Sequence, residues 1–274
     1  MATPVGTPPV VLVLAGHDPT GGAGLIADAE AIRALGGWAL TVPTALTVQT
    51  SRDVEAVTPC AAGGLTAAAR AVAADMPPAA LKVGLLADLA TLEAVVELRA
   101  RWLELPLVID PVLRAGGGQE LSSEALLAAF RQRLLPLASV ITPNLAELAR
   151  LAPGAGTVAA RAEALLAAGA GAVLATGTDG TEGEQVIHTL FRPGGTRQWQ
   201  WPRLPGQYHG SGCTLASALA AGLAAGLPLE PACERAQRFS WAALRHAVRP
   251  GHGQALPDRW AGMNDLSTPG DRDA

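Results

Sequence analysis

Residues 209–226, HGSGCTLASALAAGLAAG, place a cysteine where a glycine-rich turn enters an alanine-rich helix. The first amides of a helix have no intrahelical partner, and the helix dipole makes this end positive. Gly210, Ser211, Gly212 and Cys213 therefore predict an anion site suited to the charge on a transferring phosphoryl group. The same field is expected to lower the pKa of the Cys213 thiol, so that a thiolate accepts a proton from an attacking hydroxyl. The alternative is a small buried apolar side chain, which is the interpretation we favour for Cys60 and Cys233.

A second glycine-rich segment, 15-AGHDPTGGAGLIAD-28, follows the first predicted strand and leads into a helix. Its glycines allow backbone N–H groups to approach a ligand closely. The segment matches neither the dinucleotide-binding pattern G-x-G-x-x-G nor the phosphate loop G-x-x-x-x-G-K-[ST]. An ordinary turn between strand and helix is an equally good interpretation of this segment alone.

Polar residues also follow other predicted strands. Gln49 offers one acceptor and two donors, which suit the edge of an aminopyrimidine. Thr176 and Gly177 end the sixth predicted strand and are positioned to wrap a nucleotide phosphate or ribose. For both sites, a simple turn or loop role is the alternative.

Asp110, Asn144 and Glu147 form the third group. A carboxylate at the end of a buried strand, such as Asp110, is costly unless it is paired or lies near a metal. Asn144 and Glu147 are three residues apart, one helical turn, at a predicted helix start. They can cap that helix and also hold a hydrated magnesium ion near phosphates.

Short apolar runs alternate with alanine- and leucine-rich helical segments, which predicts parallel strands joined by right-handed crossovers. The predicted strands span residues 10–14, 39–46, 81–84, 107–110, 140–142 and 172–176, followed by an antiparallel pair at 185–190 and 196–201. The predicted helices span residues 24–35, 64–74, 89–103, 123–134, 145–151 and 158–168, with two more from Cys213 and from about Pro231. The prediction is a three-layer αβα fold with a mostly parallel sheet and antiparallel edge strands. In such sheets, ligands bind beyond the carboxyl ends of the strands.

The composition fits one domain over residues 1–262 and a flexible tail over 263–274. The chain has 274 residues and a net charge of −4, which disfavours a nucleic-acid-binding surface. Three cysteines without paired spacing favour a reducing cytoplasm over a disulfide scaffold. We expect no signal peptide and no membrane-spanning segment. Lys82 is the sole lysine, so any lysine chemistry must use it.

Taken together, the segments resemble the hydroxymethylpyrimidine/phosphomethylpyrimidine kinase family of the ribokinase-like superfamily, from about Val10 to about Gly253. The resemblance rests on AGHDPTGGAGLIAD, PTALTVQTS, LKVGLLAD, VIDPVL, LLPLASVITPNLAEL, HGSGCTLASALAAGL and PGHG, in the family's order. It implies ATP- and Mg²⁺-dependent phosphorylation of 4-amino-5-hydroxymethyl-2-methylpyrimidine and then of its monophosphate, for thiamine biosynthesis, by a cytoplasmic homodimer.

The resemblance also assigns residues. Gln49 matches the glutamine that pairs with the pyrimidine, and Cys213 takes the place of the base. Asn144 and Glu147 match the element that organises magnesium and phosphate, and Asp110 matches an acidic position near the phosphates. Other positions lining the pyrimidine pocket are matched by Gly16, Ala23, Asp28, Thr47 and Leu85.

Some positions depart from the family pattern. Arg114-Ala115-Gly116-Gly117-Gly118 and Ala175-Thr176-Gly177 stand where some relatives carry a lysine, Leu85 replaces a frequent methionine, and Ser211 replaces a threonine while keeping its hydroxyl. We expect lid segments around residues 116–119 and 178–185. The alternatives are a pyridoxal (vitamin B6) kinase and a pyrimidine-binding protein without catalysis.

Overall fold

The computed structural model describes residues 6–113, 123–177 and 183–267. The strands within these residues are β1 (Val10–His17), β2 (Trp38–Gln49), β3 (Val54–Pro59), β4 (Ala80–Val83), β5 (Leu107–Ile109), β6 (Val140–Ile141), β7 (Val173–Thr176), β8 (Gln185–Arg192) and β9 (Gly195–Pro202). The helices are α1 (Gly24–Ala34), α2 (Ala62–Asp75), α3 (Leu89–Arg99), α4 (Glu124–Ala129), α5 (Leu145–Leu151), α6 (Val158–Ala167), α7 (Ser211–Ala224), α8 (Leu229–Arg245) and α9 (Arg259–Ser267).

The strands form one sheet in the order β3-β2-β1-β4-β5-β6-β7-β8-β9. Strands β2, β1, β4, β5, β6 and β7 are parallel, while β3 at one edge and the β8–β9 pair at the other are antiparallel. The predicted fold class is confirmed. The chain moves from β1 outward to β2 and then returns to β4 on the other side of β1, so the order reverses there. Such a reversal opens a crevice beyond the carboxyl ends of the strands.

Strand β1 shows why the central strands are almost entirely apolar. Val11 and Val13 face one layer of helices, and Leu12 and Leu14 face the other; all four are fully buried. One core lies under α2 to α6, and the second lies under α1, α7 and α8, with Met263 of α9 packed against it. A strand buried on both faces reads as a continuous apolar run, which is the pattern of residues 10–14.

Strand β3 is missing from the sequence prediction, and its absence made β2 appear shorter than it is. The prediction ended β2 at residue 46 and placed Thr47 and Gln49 in a loop. In the structure β2 continues to Gln49 because Val54–Pro59 pairs with it, with Gln49 opposite Val54. Gln49 therefore stands on a paired strand.

Two helical segments also differ from the prediction. The helix expected over residues 123–134 is α-helical only to Ala129 and continues as a π-helical turn, Phe130–Leu134. The tail expected from residue 263 is helical at its start, since α9 runs from Arg259 to Ser267; its remainder, 268–274, lies outside the described residues. No helix in the described part of the chain is long and apolar enough to cross a membrane.

Candidate active site

One cavity of about 720 Å³ lies at the carboxyl ends of the strands. It brings together thirteen of the predicted site residues: Gly16, Ala23, Thr47, Gln49, Leu85, Asp110, Asn144, Glu147, Thr176, Gly210, Ser211, Gly212 and Cys213. Two predicted residues do not line it. Gly177 packs against the carbonyl oxygen of Ile187, and Asp28 is fully buried.

Gln49 lies at one end of the cavity and is held by the residues around it. Its Nε2 donates to Thr47 Oγ1 at 2.8 Å, and Thr47 Oγ1 donates to the His17 carbonyl at 2.9 Å. These two hydrogen bonds fix the side-chain amide of Gln49 relative to the end of β1. Because Nε2 has a second N–H and Oε1 can accept, the amide can present a donor and an acceptor to a planar ligand.

The two glycine-rich segments meet backbone to backbone between Gln49 and α7. Gly210 has φ +84°, and a Cβ there would overlap the carbonyl oxygen of Gly22. Gly24 has φ +58°, and its Cβ would overlap the Gly16 carbonyl. Only glycine combines this conformation with this approach. A side chain at Gly210 would separate the two segments, and one at Gly24 would open the first segment itself.

Asp18 and His209 join the same two loops by side chains. His209 Nε2 lies 2.7 Å from Asp18 Oδ2, which also accepts from the Ala23 amide at 2.9 Å. Burial raises the pKa of Asp18, but the hydrogen bonds from His209 and Thr20 outweigh burial and hold the pKa below its ordinary value. Both residues lie inside the two glycine-rich motifs, but their types and spacing alone predicted no role for them.

Helix α7 begins at Ser211, with Gly210 as its N-cap, two residues earlier than predicted. The first intrahelical bond is donated by Thr214 to the Gly210 carbonyl at 3.0 Å. The amides of Ser211, Gly212 and Cys213 precede this bond, and all three residues line the cavity. Their N–H groups and the helix dipole form an anion site.

A buried charge cluster lies directly behind this helix end. Lys82 Nζ donates to both carboxylate oxygens of Asp28, at 2.9 and 3.0 Å, and lies 3.6 Å from Asp110 Oδ2. Ser217 Oγ also donates to Asp28, at 2.7 Å. Burial lowers the pKa of Lys82, but the neighbouring carboxylates raise it above its usual range, so the lysine is charged. The prediction that Asp28 lines the pyrimidine pocket is wrong, because Asp28 is fully buried and binds Lys82 instead.

The pKa predicted for Cys213 is also wrong. Burial raises the pKa of the thiol well above its ordinary value, and the Asp110 carboxylate raises it further. Lys82 and the Gly24 amide act in the opposite direction but do not compensate. The helix dipole is thus outweighed, and Cys213 is a thiol at neutral pH. Cys233 is buried, as expected, whereas Cys60 is only partly buried.

Asn144 and Glu147 form a reciprocal capping box at the start of α5. Asn144 Oδ1 accepts from the Glu147 amide at 2.8 Å, and Glu147 Oε2 accepts from the Asn144 amide at 2.9 Å. The capping role considered from the sequence is therefore present, and both side chains still line the cavity.

The cavity carries oxygen ligands that suit Mg²⁺. Asp110 Oδ2 is buried and, among the described residues, has no hydrogen-bond partner, with Lys82 as its nearby cation. In the described part of the chain, no three His, Cys, Asp or Glu side chains lie close enough to hold a metal ion directly. Asp110, Asn144 and Glu147 offer oxygen atoms, which suit a hydrated magnesium ion because Mg²⁺ usually keeps several waters.

His188, which the sequence analysis did not consider, lines the far end of the cavity beside Trp201, Gln237 and Trp241. Gln237 Nε2 donates to the Cys233 carbonyl, and Gln237 Oε1 accepts from Trp201 Nε1 at 3.0 Å. Oε1 is therefore an acceptor for His188 Nδ1, also at 3.0 Å, so Nδ1 carries the proton. Burial lowers the pKa of His188 to about 4, which keeps the imidazole neutral.

The low pKa of His188 predicts acid sensitivity. The pKa of His188 in the folded protein, about 4, lies below the ordinary value of 6.5. The contribution of the neutral imidazole to the free energy of unfolding is therefore fully present above about pH 6.5 and falls as the pH drops toward 4. The full loss is up to about 3 kcal/mol. Urea unfolding at a series of pH values between 7 and 4 measures this loss. In His188→Asn, the free energy of unfolding should depend less steeply on pH over the same range. An unchanged slope in His188→Asn would contradict the prediction.

Some sequence predictions fall outside the described residues. These are the Arg114–Gly118 segment, the lid proposed over 116–119, and residues 178–182 of the second lid. The mostly parallel sheet, and one cavity that holds both Gln49 and the open start of α7, are the arrangement of a small-molecule kinase of the ribokinase-like class.

Comparison with known proteins identifies the family. The phosphomethylpyrimidine kinase family model matches residues 18–258, and the chain belongs to this family. It is 38% identical over 256 residues to the hydroxymethylpyrimidine/phosphomethylpyrimidine kinase of Rhizobium meliloti, covering 89% of this chain and 94% of that one.

Two solved structures are similar. The phosphomethylpyrimidine kinase of Clostridium difficile 630 superposes with a TM-score of 0.75 at 28% identity, covering 86% of this chain and 99% of that chain. A Bacillus subtilis pyridoxal kinase bound to ADP gives a TM-score of 0.84 at 26% identity, covering 93% and 98%.

Proposed function

We propose that the protein transfers the γ-phosphate of ATP to 4-amino-5-hydroxymethyl-2-methylpyrimidine and then phosphorylates the resulting monophosphate, giving the pyrophosphate used in thiamine biosynthesis. The observation that carries this proposal is the single cavity shared by Gln49 and the amides at the start of α7. An aminopyrimidine paired with Gln49 presents its hydroxymethyl group to a phosphate held by those amides. The family and its named relatives support the same substrate.

The lining of the cavity supports a proposed position for each part of the substrates. Gln49 pairs with the amine and ring nitrogen of the pyrimidine, while Gly16 and Leu85 form the adjoining wall. Thr176 lies beside the phosphates. The nucleotide base occupies the far end, where Trp201 and Trp241 stack with ring centroids 6.4 Å apart and provide an apolar surface.

Catalysis rests on positioning and electrostatics. The amides of Ser211, Gly212 and Cys213 hold the charge of the transferring group. Cys213 acts as the base in its deprotonated form, which is the minor form at neutral pH: the thiolate accepts the proton of the acceptor hydroxyl as the new O–P bond forms and the bond to ADP breaks. Asp110, Asn144 and Glu147 would hold Mg²⁺ through water. When bound, the ion neutralises phosphate charge.

A coupled ADP-release assay tests the proposal directly. The pyrimidine alcohol and its monophosphate are supplied separately with ATP, each with Mg²⁺ and with excess chelator. We expect turnover of both acceptors only when Mg²⁺ is present. No ADP release with either acceptor would refute the proposed function.

Cys213→Ala should affect the two steps unequally. The alcohol must lose a proton to react, so kcat for this step should fall about 10²-fold or more, the range of general-base effects. The monophosphate is already an anionic nucleophile, so its kcat should change much less. Because the thiol pKa is raised, the wild-type alcohol step should also speed up as the pH rises above 7, and Cys213→Ala should lose this rise. Equal losses in both steps would contradict the role given to Cys213.

A pyridoxal kinase is the second candidate, since a pyridoxal kinase shares the fold with a TM-score of 0.84. Side-by-side kcat/KM values for pyridoxal and the pyrimidine alcohol separate the two. We expect the pyrimidine to be preferred, and Gln49→Leu to reduce the preference.

A cytoplasmic homodimer stays a prediction from the family resemblance. Light scattering tests the dimer, and cell fractionation tests the location.

A further inference from the structure

Arg259, the first residue of α9, is buried against the back of the anion site. Its side chain is only 2% exposed, and it does not line the cavity. Arg259 lies outside every motif that predicted the site.

The guanidinium binds both glycine-rich segments at once. Nη2 donates to the Gly22 carbonyl at 2.6 Å, and Nη1 donates to the Gly21 carbonyl at 3.3 Å. Nε donates to Thr214 Oγ1 at 3.0 Å. Thr214 Oγ1 in turn donates to the Gly210 carbonyl at 2.8 Å. Arg259 thus connects the loop after β1 to the N-cap of α7.

The position of the Gly22 carbonyl explains why a cation is useful here. This oxygen touches Gly210, where a Cβ would overlap it. Its partial negative charge therefore lies beside amides that must attract an anion. A guanidinium on this carbonyl offsets that charge and fixes the separation of the two loops. Nη1 also donates to Glu30 Oε2 at 2.8 Å, and the Glu30 side chain is more exposed than that of the arginine.

We propose that Arg259 is a positioning residue for phosphoryl transfer, which aligns the first amides of α7 and supports their affinity for phosphate from behind. The inference rests on the proposed function for the acceptor, but its effect on nucleotide binding does not depend on which alcohol is phosphorylated. Arg259 acts through Thr214 and the Gly22 carbonyl and touches no reacting atom.

Arg259→Met is the main variant, because it removes the charge and all four hydrogen bonds while keeping the apolar stem. The matched control is Arg99→Met. Arg99 is also buried, and it donates to the carbonyls of Trp102, Leu103 and Leu105 at the end of α3, outside the cavity. Both variants lose a buried arginine that binds carbonyl groups, so a general loss of stability should appear in both.

The readouts are kcat, KM for the pyrimidine alcohol, and Kd for a non-hydrolysable ATP analogue with Mg²⁺ by calorimetry, all well below the melting temperatures. For Arg259→Met we expect kcat to fall about 10- to 100-fold and the Kd to rise about tenfold. This kcat loss is smaller than the roughly 10²- to 10³-fold loss of one oxyanion donor, because Arg259 acts on the amides indirectly. KM for the alcohol should change less than about threefold, because Gln49 is untouched. Arg99→Met should keep kcat and Kd within about twofold. Arg259→Lys keeps the positive charge but loses the planar guanidinium with its several N–H donors, and it should recover part of the affinity for the ATP analogue.

Thr214→Val, which keeps the side-chain shape, cuts the connection from Arg259 to the Gly210 carbonyl and serves if Arg259→Met fails to fold. We expect a smaller loss of kcat in the same direction, with the KM for the alcohol again unchanged. The proposal is overturned if folded Arg259→Met, or Thr214→Val in its place, keeps kcat and the Kd within about twofold, or if Arg99→Met loses as much as Arg259→Met. If the wild type binds the nucleotide analogue but phosphorylates no pyrimidine, the proposed function fails while the Kd comparison still decides the role of Arg259.

Discussion

Gly210→Ala should abolish phosphoryl transfer, with kcat reduced at least about 10²-fold for both acceptors. The added Cβ would overlap the Gly22 carbonyl, at a residue whose φ is +84°. The two loops must separate to admit it, and this displaces the amides of Ser211, Gly212 and Cys213 from the phosphate. We also expect the free energy of unfolding to drop by about 3 kcal/mol or more, from backbone strain and overpacking.

Gly226, just beyond the other end of α7, provides the matched control. Its φ is +81°, close to that of Gly210, but a Cβ there would have no neighbour within 4 Å. Gly226→Ala should therefore show only the backbone cost, about 1–2 kcal/mol, and keep its kcat. Urea unfolding and the ADP-release assay on both variants make the comparison. Equal kinetic effects would show that the close approach at Gly210 does not matter.

Lys82→Met should lower the free energy of unfolding by about 3–5 kcal/mol, because it leaves the buried Asp28 carboxylate without its cation. Lys82 is fully buried and is also the nearby positive charge for Asp110. Thermal and urea unfolding at neutral pH should show the loss.

The double variant Lys82→Met/Asp28→Asn tests the cause of this loss. Removing the orphaned charge of Asp28 should recover a clear part of the stability, since an unpaired buried charge is more harmful than a missing pair. A loss below about 1 kcal/mol in Lys82→Met, or a double variant no more stable than the single, would contradict the account of this cluster.

The central layers of the fold could be predicted from the sequence because their patterns are local. The apolar run of β1 and the glycines that follow it identify a buried parallel strand and a tight turn. Strand β3 was missed because Val54–Pro59 has exposed and polar positions and is a strand only through its pairing with β2. Helix α9 was missed because its anchor, Arg259, is stabilised by residues far away in the chain.

In the candidate site, too, local sequence patterns predicted some features, while contacts between distant residues determine the others. Residue types and their places after strands predicted that Gln49, Asp110, Asn144 and Cys213 would meet, and the cavity brings them together. Asp28 was misplaced because a motif does not state which side chain faces the ligand. The pKa of Cys213 was predicted in the wrong direction because burial and Asp110 act on the thiol, and neither is visible in the local sequence.

A crystal structure with the pyrimidine alcohol, Mg²⁺ and a non-hydrolysable ATP analogue would test the central claim most directly. We expect the pyrimidine edge on Gln49, the γ-phosphate on the amides of Ser211, Gly212 and Cys213, and the hydroxyl oxygen about 3–3.5 Å from the γ-phosphorus. A pyrimidine bound away from Gln49, or a γ-phosphate held away from the start of α7, would contradict it.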